Sequence, residues 1–255
     1  MTDTLQRWEF TNFGFQNFKR TQAAVPAPRA GQIVVKVDAV SLNYRDLLLA
    51  NNNYGWTPPL PFVPASDMAG VVAAVGEGVT RVAVGDRVIS TFVTGWVDGA
   101  APPEASSLGA PGPGMLASHV VFDSQWVIKA PDTLSASEAS TLPCAALTAW
   151  FALVEQDHLR AGQTVLIHGT GGVALFGLQI ARLHGARVIV VSGSADKQDK
   201  ALALGAHQVL ERDADWAKQV LELTQGRGAD HILETVADQT LENHFRPWHR
   251  QAWSR

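Results

Sequence analysis

A single cysteine stands among the 255 residues. No disulfide framework can form within such a chain, and no multi-thiolate zinc or iron–sulfur site can be built from it. Basic charge is not in excess either, since 20 Lys and Arg face 24 Asp and Glu for a net of −4. That excludes the electrostatic footprint of a nucleic-acid or acidic-membrane binder. No run approaches the roughly 20 apolar residues that cross a bilayer. The opening MTDTLQRWEF lacks the apolar core of a secretory signal. Phosphate-cradling G-x-x-x-x-G-K-[ST], zinc-binding H-E-x-x-H and nucleophile-elbow G-x-S-x-G are all missing. The chain that remains is 46% hydrophobic and 17% charged. That suits a packed soluble protein, and the expectation is a cytoplasmic one acting on a small molecule.

At about 150 residues per domain, the length predicts one large domain or two small ones. Composition changes near residue 130, which divides the chain into 1–130 and 131–255. Before the change, short β-branched runs alternate with glycine and proline. Ile33–Val40, Ala69–Val75, Arg87–Phe92, His119–Asp123 and Trp126–Lys129 read as strands, and 42–50 as a helix. Short strands with turn signals predict a small β barrel or sandwich. The Pro-, Gly- and Ala-rich stretch 100–114 reads as a loop. After the change, helix and strand alternate. Ser135 with Glu138 forms a capping-box pattern, and a helix from Pro143 reaches about Asp157. Strands follow at Thr164–His168, Arg187–Val191, Gln208–Leu210 and Asp230–Val236, with helices at 172–184, 196–204 and 216–224, the last capped by Asp213. Such spacing predicts parallel strands joined by right-handed crossovers.

Between the first of these strands and its helix lies Gly169-Thr170-Gly171-Gly172-Val173-Ala174. This is G-x-G-x-x-G/A in its required setting, a strand before and a helix after. Gly169 permits the tight turn, Gly171 lets backbone approach a pyrophosphate, and Ala174 lets the helix pack close to the sheet. Free N–H groups and the helix dipole then face the anion. The bland alternative is a glycine-rich turn with no ligand. At the end of the second strand, NAD sites place an acidic residue for the ribose 2′-hydroxyl. Here Ser192, Gly193 and Ser194 stand there, with Lys197 nearby. Hydroxyls and an ammonium accept a 2′-phosphate, so NADP(H) is preferred over NAD(H). Against this, Ser194 could simply cap the next helix and Lys197 be solvated.

LNYRD (42–46), PASDMAG (64–70), VGEGV (75–79), GDRV (85–88), LPCAALTAW (142–150) and GTGGVALFGLQIA (169–181) occur in one order. Together they resemble the medium-chain dehydrogenase/reductases, and within them the zinc-free, quinone-oxidoreductase-like branch. The resemblance implies an α/β protein with a GroES-like β-barrel domain, then a Rossmann domain, and an active cleft between them. It also implies hydride transfer between a nicotinamide and a quinone, an enone or a simple carbonyl or alcohol. Thr148 resembles the position that meets the nicotinamide side; its alternative is an interior threonine bonded to its own backbone.

In zinc-dependent members the catalytic metal takes a cysteine, a histidine and a second cysteine. The resemblance sets these at Asn43, Ser66 and Cys144, with Asp67 where glutamate is usual. An amide and a hydroxyl are poor zinc ligands, so the expectation is no zinc, with Cys144 a small buried apolar residue. Asn43 then becomes the candidate to donate to a developing oxyanion. Tyr44 is a candidate to line the pocket or give a proton, or else packs. Asp46 is a candidate to orient neighbours, or else caps. Loop 94–115 is expected to shape the pocket; Trp56 and Trp96 are candidates to line it, or else ordinary core or surface residues. The two tyrosines, Tyr44 and Tyr54, precede Leu48 and Pro58 by four residues, so neither makes the Tyr-x-x-x-Lys pair of short-chain dehydrogenases.

Family chains usually run longer, with six parallel strands where four are legible here. Their homodimer strand, the sixth, is expected to be missing. From Glu242 the sequence reads ENHFRPWHRQAWSR, with two tryptophans, three arginines and two histidines but no Ile, Leu, Val or Met. This reads as a frameshift or premature stop near residue 245. Two alternatives to an active enzyme stay open: a truncated remnant that at most binds nucleotide, and a zinc-type alcohol dehydrogenase.

Overall fold

The computed structural model describes residues 4–212 and 215–236, and its contacts divide the chain into two compact units, 1–144 and 145–255. This division falls at 144, later in the chain than the composition change near 130. Helix α2 (Ala136–Ala139) follows the change, yet Leu134, Ala136, Ala139 and Leu142 pack on Ala69, Ile89 and Ala130 of the first unit. The capping box that opens α2 is present, with Glu138 N–H donating to Ser135 Oγ at 3.3 Å and Ser135 N–H to Glu138 Oε2 at 2.8 Å.

The first unit carries β1 (Thr4–Phe10), β2 (Phe18–Ala24), β3 (Gln32–Ser41), α1 (Tyr44–Ala50), β4 (Asp67–Val75), β5 (Arg87–Ser90), β6 (Val93–Thr94), β7 (Ser106–Ser107), β8 (His119–Asp123) and β9 (Val127–Lys129). An antiparallel sheet runs β8-β3-β4-β5-β9, built from the short β-branched runs read as strands in the sequence. One face buries Ile33, Val35, Met68, Val72, Val88 and Phe122 over Leu108 and Met115. Two elements were not legible in the sequence. The β1–β2 hairpin is one; its strands TLQRWEF and FKRTQAA mix charge with apolar residues. Ring packing holds it instead, with Phe10 stacked on Phe18 at 4.6 Å and on Phe62 at 5.3 Å. The other is the β6–β7 ladder, which ties the base of the stretch expected to be only a loop.

The second unit holds α3 (Leu147–Trp150), β10 (Thr164–His168), α4 (Gly172–Leu183), β11 (Arg187–Ser192), α5 (Ala195–Ala203), β12 (Gln208–Glu211), α6 (Trp216–Leu223) and β13 (His231–Leu233). The single helix expected from Pro143 to Asp157 is instead α3 flanked by wider π turns at Leu142–Ala146 and Phe151–Gln156. Four parallel strands take the order β12-β11-β10-β13. Every residue of β10 is buried, as a strand covered on both faces requires. Val165 and Ile167 meet Ala174, Leu178 and Ala181 of α4 on one face, while Leu166 meets Trp216, Ala217 and Val220 of α6 on the other. Each fully buried Leu or Ile contributes about 1.5–3 kcal/mol, so these two layers dominate the unit's stability.

The fourth strand is shorter than Asp230–Val236. Asp213, expected to cap α6, lies outside the described residues, and Asp215 is the cap, its Oδ1 accepting from Lys218 N–H at 3.3 Å. The tail from Glu242 also lies outside the described residues. No helix among the described residues is long and apolar enough to cross a membrane.

Candidate active site and nucleotide-binding turn

The turn after β10 has the geometry its glycines foretell. Gly169 has φ +86°, a left-handed conformation that other residues adopt only with strain, and its N–H donates to Val191 O at 2.9 Å. Gly171 is the N-cap of α4, with no side chain closing the helix end. The N–H groups of its first turn therefore stay available to an anion. A Cβ added at Gly171 would meet nothing within 4 Å, so the space above this backbone is open. Thr170 and Val173 are half-buried beside it, and Gly172 is exposed. Ala174 is buried against the sheet, and Gly177 adds a close approach that the sequence reading did not single out: a Cβ there would collide with Leu233 of β13.

Pairing of His168 with Val191 sets this turn beside the end of β11. Ser192 is buried there, and its carbonyl accepts from Gln198 Nε2 at 3.2 Å and from Arg212 N–H at 3.3 Å. Ser194 is the N-cap of α5 by backbone conformation, yet its side chain makes no cap hydrogen bond. Lys197 is exposed on α5, near Asp196 of the same first turn. Sequence reasoning missed Arg212. Its guanidinium carbon lies 3.9 Å from where a Gly193 Cβ would be. The signal was a basic residue directly after the third strand, whose end must lie beside the second. Thr148 is exposed on α3, and α3 packs against α4.

The first unit gathers a second group around the start of α1. Asn43 is the N-cap, and Asp46 completes a capping box by accepting Asn43 N–H on Oδ2 at 2.8 Å. Asp46 Oδ1 accepts Ala65 N–H at 3.0 Å. Both oxygens of this buried carboxylate thus hold backbone, clamping α1 to the segment before β4. Asn43 Nδ2 donates to Ser66 Oγ at 3.4 Å, Ser66 Oγ donates to Asp67 Oδ1 at 2.6 Å, and Cys144 N–H donates to Asp67 Oδ2 at 3.1 Å. Ser66 and Asp67 are both fully buried. Burial pushes the Asp67 carboxyl up from its ordinary range. The Ser66 hydroxyl, the Asn43 amide and the Cys144 N–H pull it partly back, and the nearby Asp46 charge raises it further. Asp46 is likewise raised by burial, against the Asn43 and Ala65 amides and the Arg45 charge. Tyr44 opens α1 and is 74% exposed.

Arg45, which the motif reading passed over, is buried with its guanidinium inside the turn after β7. It donates to Ser107 Oγ at 2.7 Å and to the Leu108 carbonyl, and lies 4.9 Å from the Phe92 ring centre. The residues at Asn43, Ser66 and Cys144 are therefore brought together, with Asp67 among them. They do not fit a catalytic zinc, which takes about three anionic or imidazole donors. The set offers an amide, a hydroxyl and a single thiol, and its one carboxylate is already held by the Ser66 hydroxyl and the Cys144 N–H. Among the described residues no group of three His, Cys, Asp or Glu side chains is placed to hold a metal ion.

Comparison with known proteins matches residues 29–132 to the alcohol dehydrogenase GroES-like domain and residues 172–248 to the zinc-binding dehydrogenase family. A zinc-type alcohol dehydrogenase-like protein of Schizosaccharomyces pombe is 38% identical over 235 residues, covering 89% of this chain and 68% of that one. The quinone oxidoreductase of Rattus norvegicus is 31% identical over 231 residues, covering 89% of this chain and 64% of its own. A Sinorhizobium meliloti 1021 crystal structure, described as a candidate alcohol dehydrogenase, superposes with a TM-score of 0.93 at 49% identity. It is covered over 75% of its length by 98% of this chain. The chain thus spans about two thirds to three quarters of the length of these three proteins.

Proposed function

The chain belongs to the medium-chain dehydrogenase/reductase superfamily, and from that premise we propose a zinc-independent oxidoreductase that uses NADP(H) in preference to NAD(H). The observation that carries this reading is the open backbone at Gly171 feeding an uncapped helix. Bare amides at a helix N-terminus beside open space suit a ligand that brings negative charge. When bound there, a nicotinamide dinucleotide supplies or takes a hydride at C4 of its ring. Gly169 to Val173 hold the pyrophosphate through their N–H groups. Ser194, Lys197 and Arg212 surround the position of a 2′-phosphate, where Ser192 and Gly193 bring no carboxylate to repel it. Thr148, exposed on α3, orients the nicotinamide side.

At the first unit, Asn43 offers its amide, and Tyr44 its hydroxyl, to the substrate oxygen on which charge develops. Asp46 does not meet substrate; it fixes the segment that carries both. Without a metal to acidify an alcohol, acceptors that are already electron-poor fit this site best, namely quinones and enones. The single cysteine fits a reducing cytoplasm as the place of work. The test is NADPH consumption followed at 340 nm with benzoquinone and an α,β-unsaturated ketone, after exhaustive chelation. Turnover that survives chelation and is faster with NADPH than NADH supports the reading. Binding of NADPH with no turnover over a broad acceptor panel points instead to a nucleotide-binding remnant. Turnover restored only by zinc points to an alcohol dehydrogenase of the zinc type.

A further inference from the structure

We propose that Asp67, working through Ser66, is a positioning residue that sets which way the Asn43 side-chain amide faces. The inference rests on the reading of Asn43 given above and adds to it the group that orients Asn43. A hydroxyl has one proton. Ser66 spends it on Asp67 Oδ1 at 2.6 Å, so toward Asn43 its oxygen can only accept. The hydrogen bonds therefore run one way, from Asn43 Nδ2 to Ser66 and from Ser66 to Asp67. The second carboxylate oxygen is held by Cys144 N–H at 3.1 Å, which keeps the group from turning. The supporting strand is itself fixed, because Ser90 Oγ donates to Ser66 O at 2.9 Å and accepts Met68 N–H at 3.0 Å. A carboxylate at the inner end is what enforces the direction. An amide there could donate, the chain could reverse, and Asn43 would be free to present its oxygen in place of its nitrogen.

Nothing in a merely structural role requires this polarity, since any hydrogen-bonding pair of the same size would fill the space. The test compares the full-length chain with Ser66→Ala, which deletes the middle of the chain, and Asp67→Asn, which removes its fixed direction. In each, kcat for NADPH-dependent quinone reduction is expected to fall about 10- to 100-fold, the scale of a misplaced reacting group. The Kd for NADPH is expected to stay unchanged. The side-chain amide resonances of Asn43, assigned by ¹⁵N labelling, are expected to shift in both variants. A folded Ser66→Ala chain with unaltered kcat and unmoved Asn43 amide resonances overturns the proposal, and it alone decides if Asp67→Asn does not fold. If the unsubstituted chain consumes no NADPH with any acceptor, the functional reading fails, while the Asn43 resonances still decide this one.

Discussion

Replacing Gly171 with alanine separates nucleotide binding from folding more cleanly than any other single change. Its φ of −78° and ψ of −178° are open to any residue, and the added Cβ meets no protein atom within 4 Å. Alanine is a poorer N-cap than glycine, but it also restricts the unfolded chain; the two offset, leaving a net change within about 1 kcal/mol. The methyl group does, however, stand where a pyrophosphate must approach the backbone. Losing one charge-assisted N–H contact costs about 1.5–3 kcal/mol, which is about 10- to 150-fold in Kd. Titration of NADPH by its fluorescence, beside a thermal melt of the unliganded protein, reads both quantities. A Gly171→Ala chain that melts like the parent and binds NADPH as tightly refutes the assignment of this turn.

Other substitutions should behave differently. Gly169→Ala puts a Cβ on a left-handed residue, 3.1 Å from Thr235 and Val236 side-chain atoms, and should cost about 1–2 kcal/mol of stability by denaturant melt. Gly177→Ala drives a methyl into Leu233 and should cost about 1–3 kcal/mol in the same assay, with NADPH affinity preserved in whatever fraction folds. Arg212→Ala should weaken NADPH about tenfold and leave NADH unchanged, read by parallel titrations; equal loss for both would remove Arg212 from the 2′-phosphate site. For pH, Asp46 and Asp67 are both raised above the ordinary 3.8 by burial, so the folded chain holds their protons longer than the unfolded one. Their contribution to stability is fully present below about 4 and is lost as pH rises through their folded values. Unfolding free energies measured from pH 4 to 7 should show this decline, and Asp67→Asn should make it shallower.

The Rossmann half was legible because its signals are local. Strand, glycine turn and helix follow one another within 164–183, and β10 and α4 appear where the pattern places them. The turn at Gly169 needed only a residue that tolerates positive φ. The hairpin β1–β2 was not legible, because cross-strand pairing of Phe10 with Phe18 rescues strands whose own pattern is mixed. Arg212 was invisible for a related reason: it reaches Gly193 only once β12 has paired with β11. The family resemblance pointed to Asn43, Ser66, Asp67 and Cys144 one position at a time. Their linkage spans 77 residues between Asp67 and Cys144 and has no sequence period to betray it. Asp46 was read as either an orienting group or a cap, and two backbone amides on its oxygens identify it as a clamp.

The claim on which the rest depends is tested most directly by following backbone amide shifts during an NADPH titration of the folded chain. Resonances of Gly169, Gly171, Gly172 and Val173 should move most and saturate together, with Ser194 and Arg212 moving for NADPH and much less for NADH. A saturating titration that leaves the glycine-turn amides where they were would contradict the account.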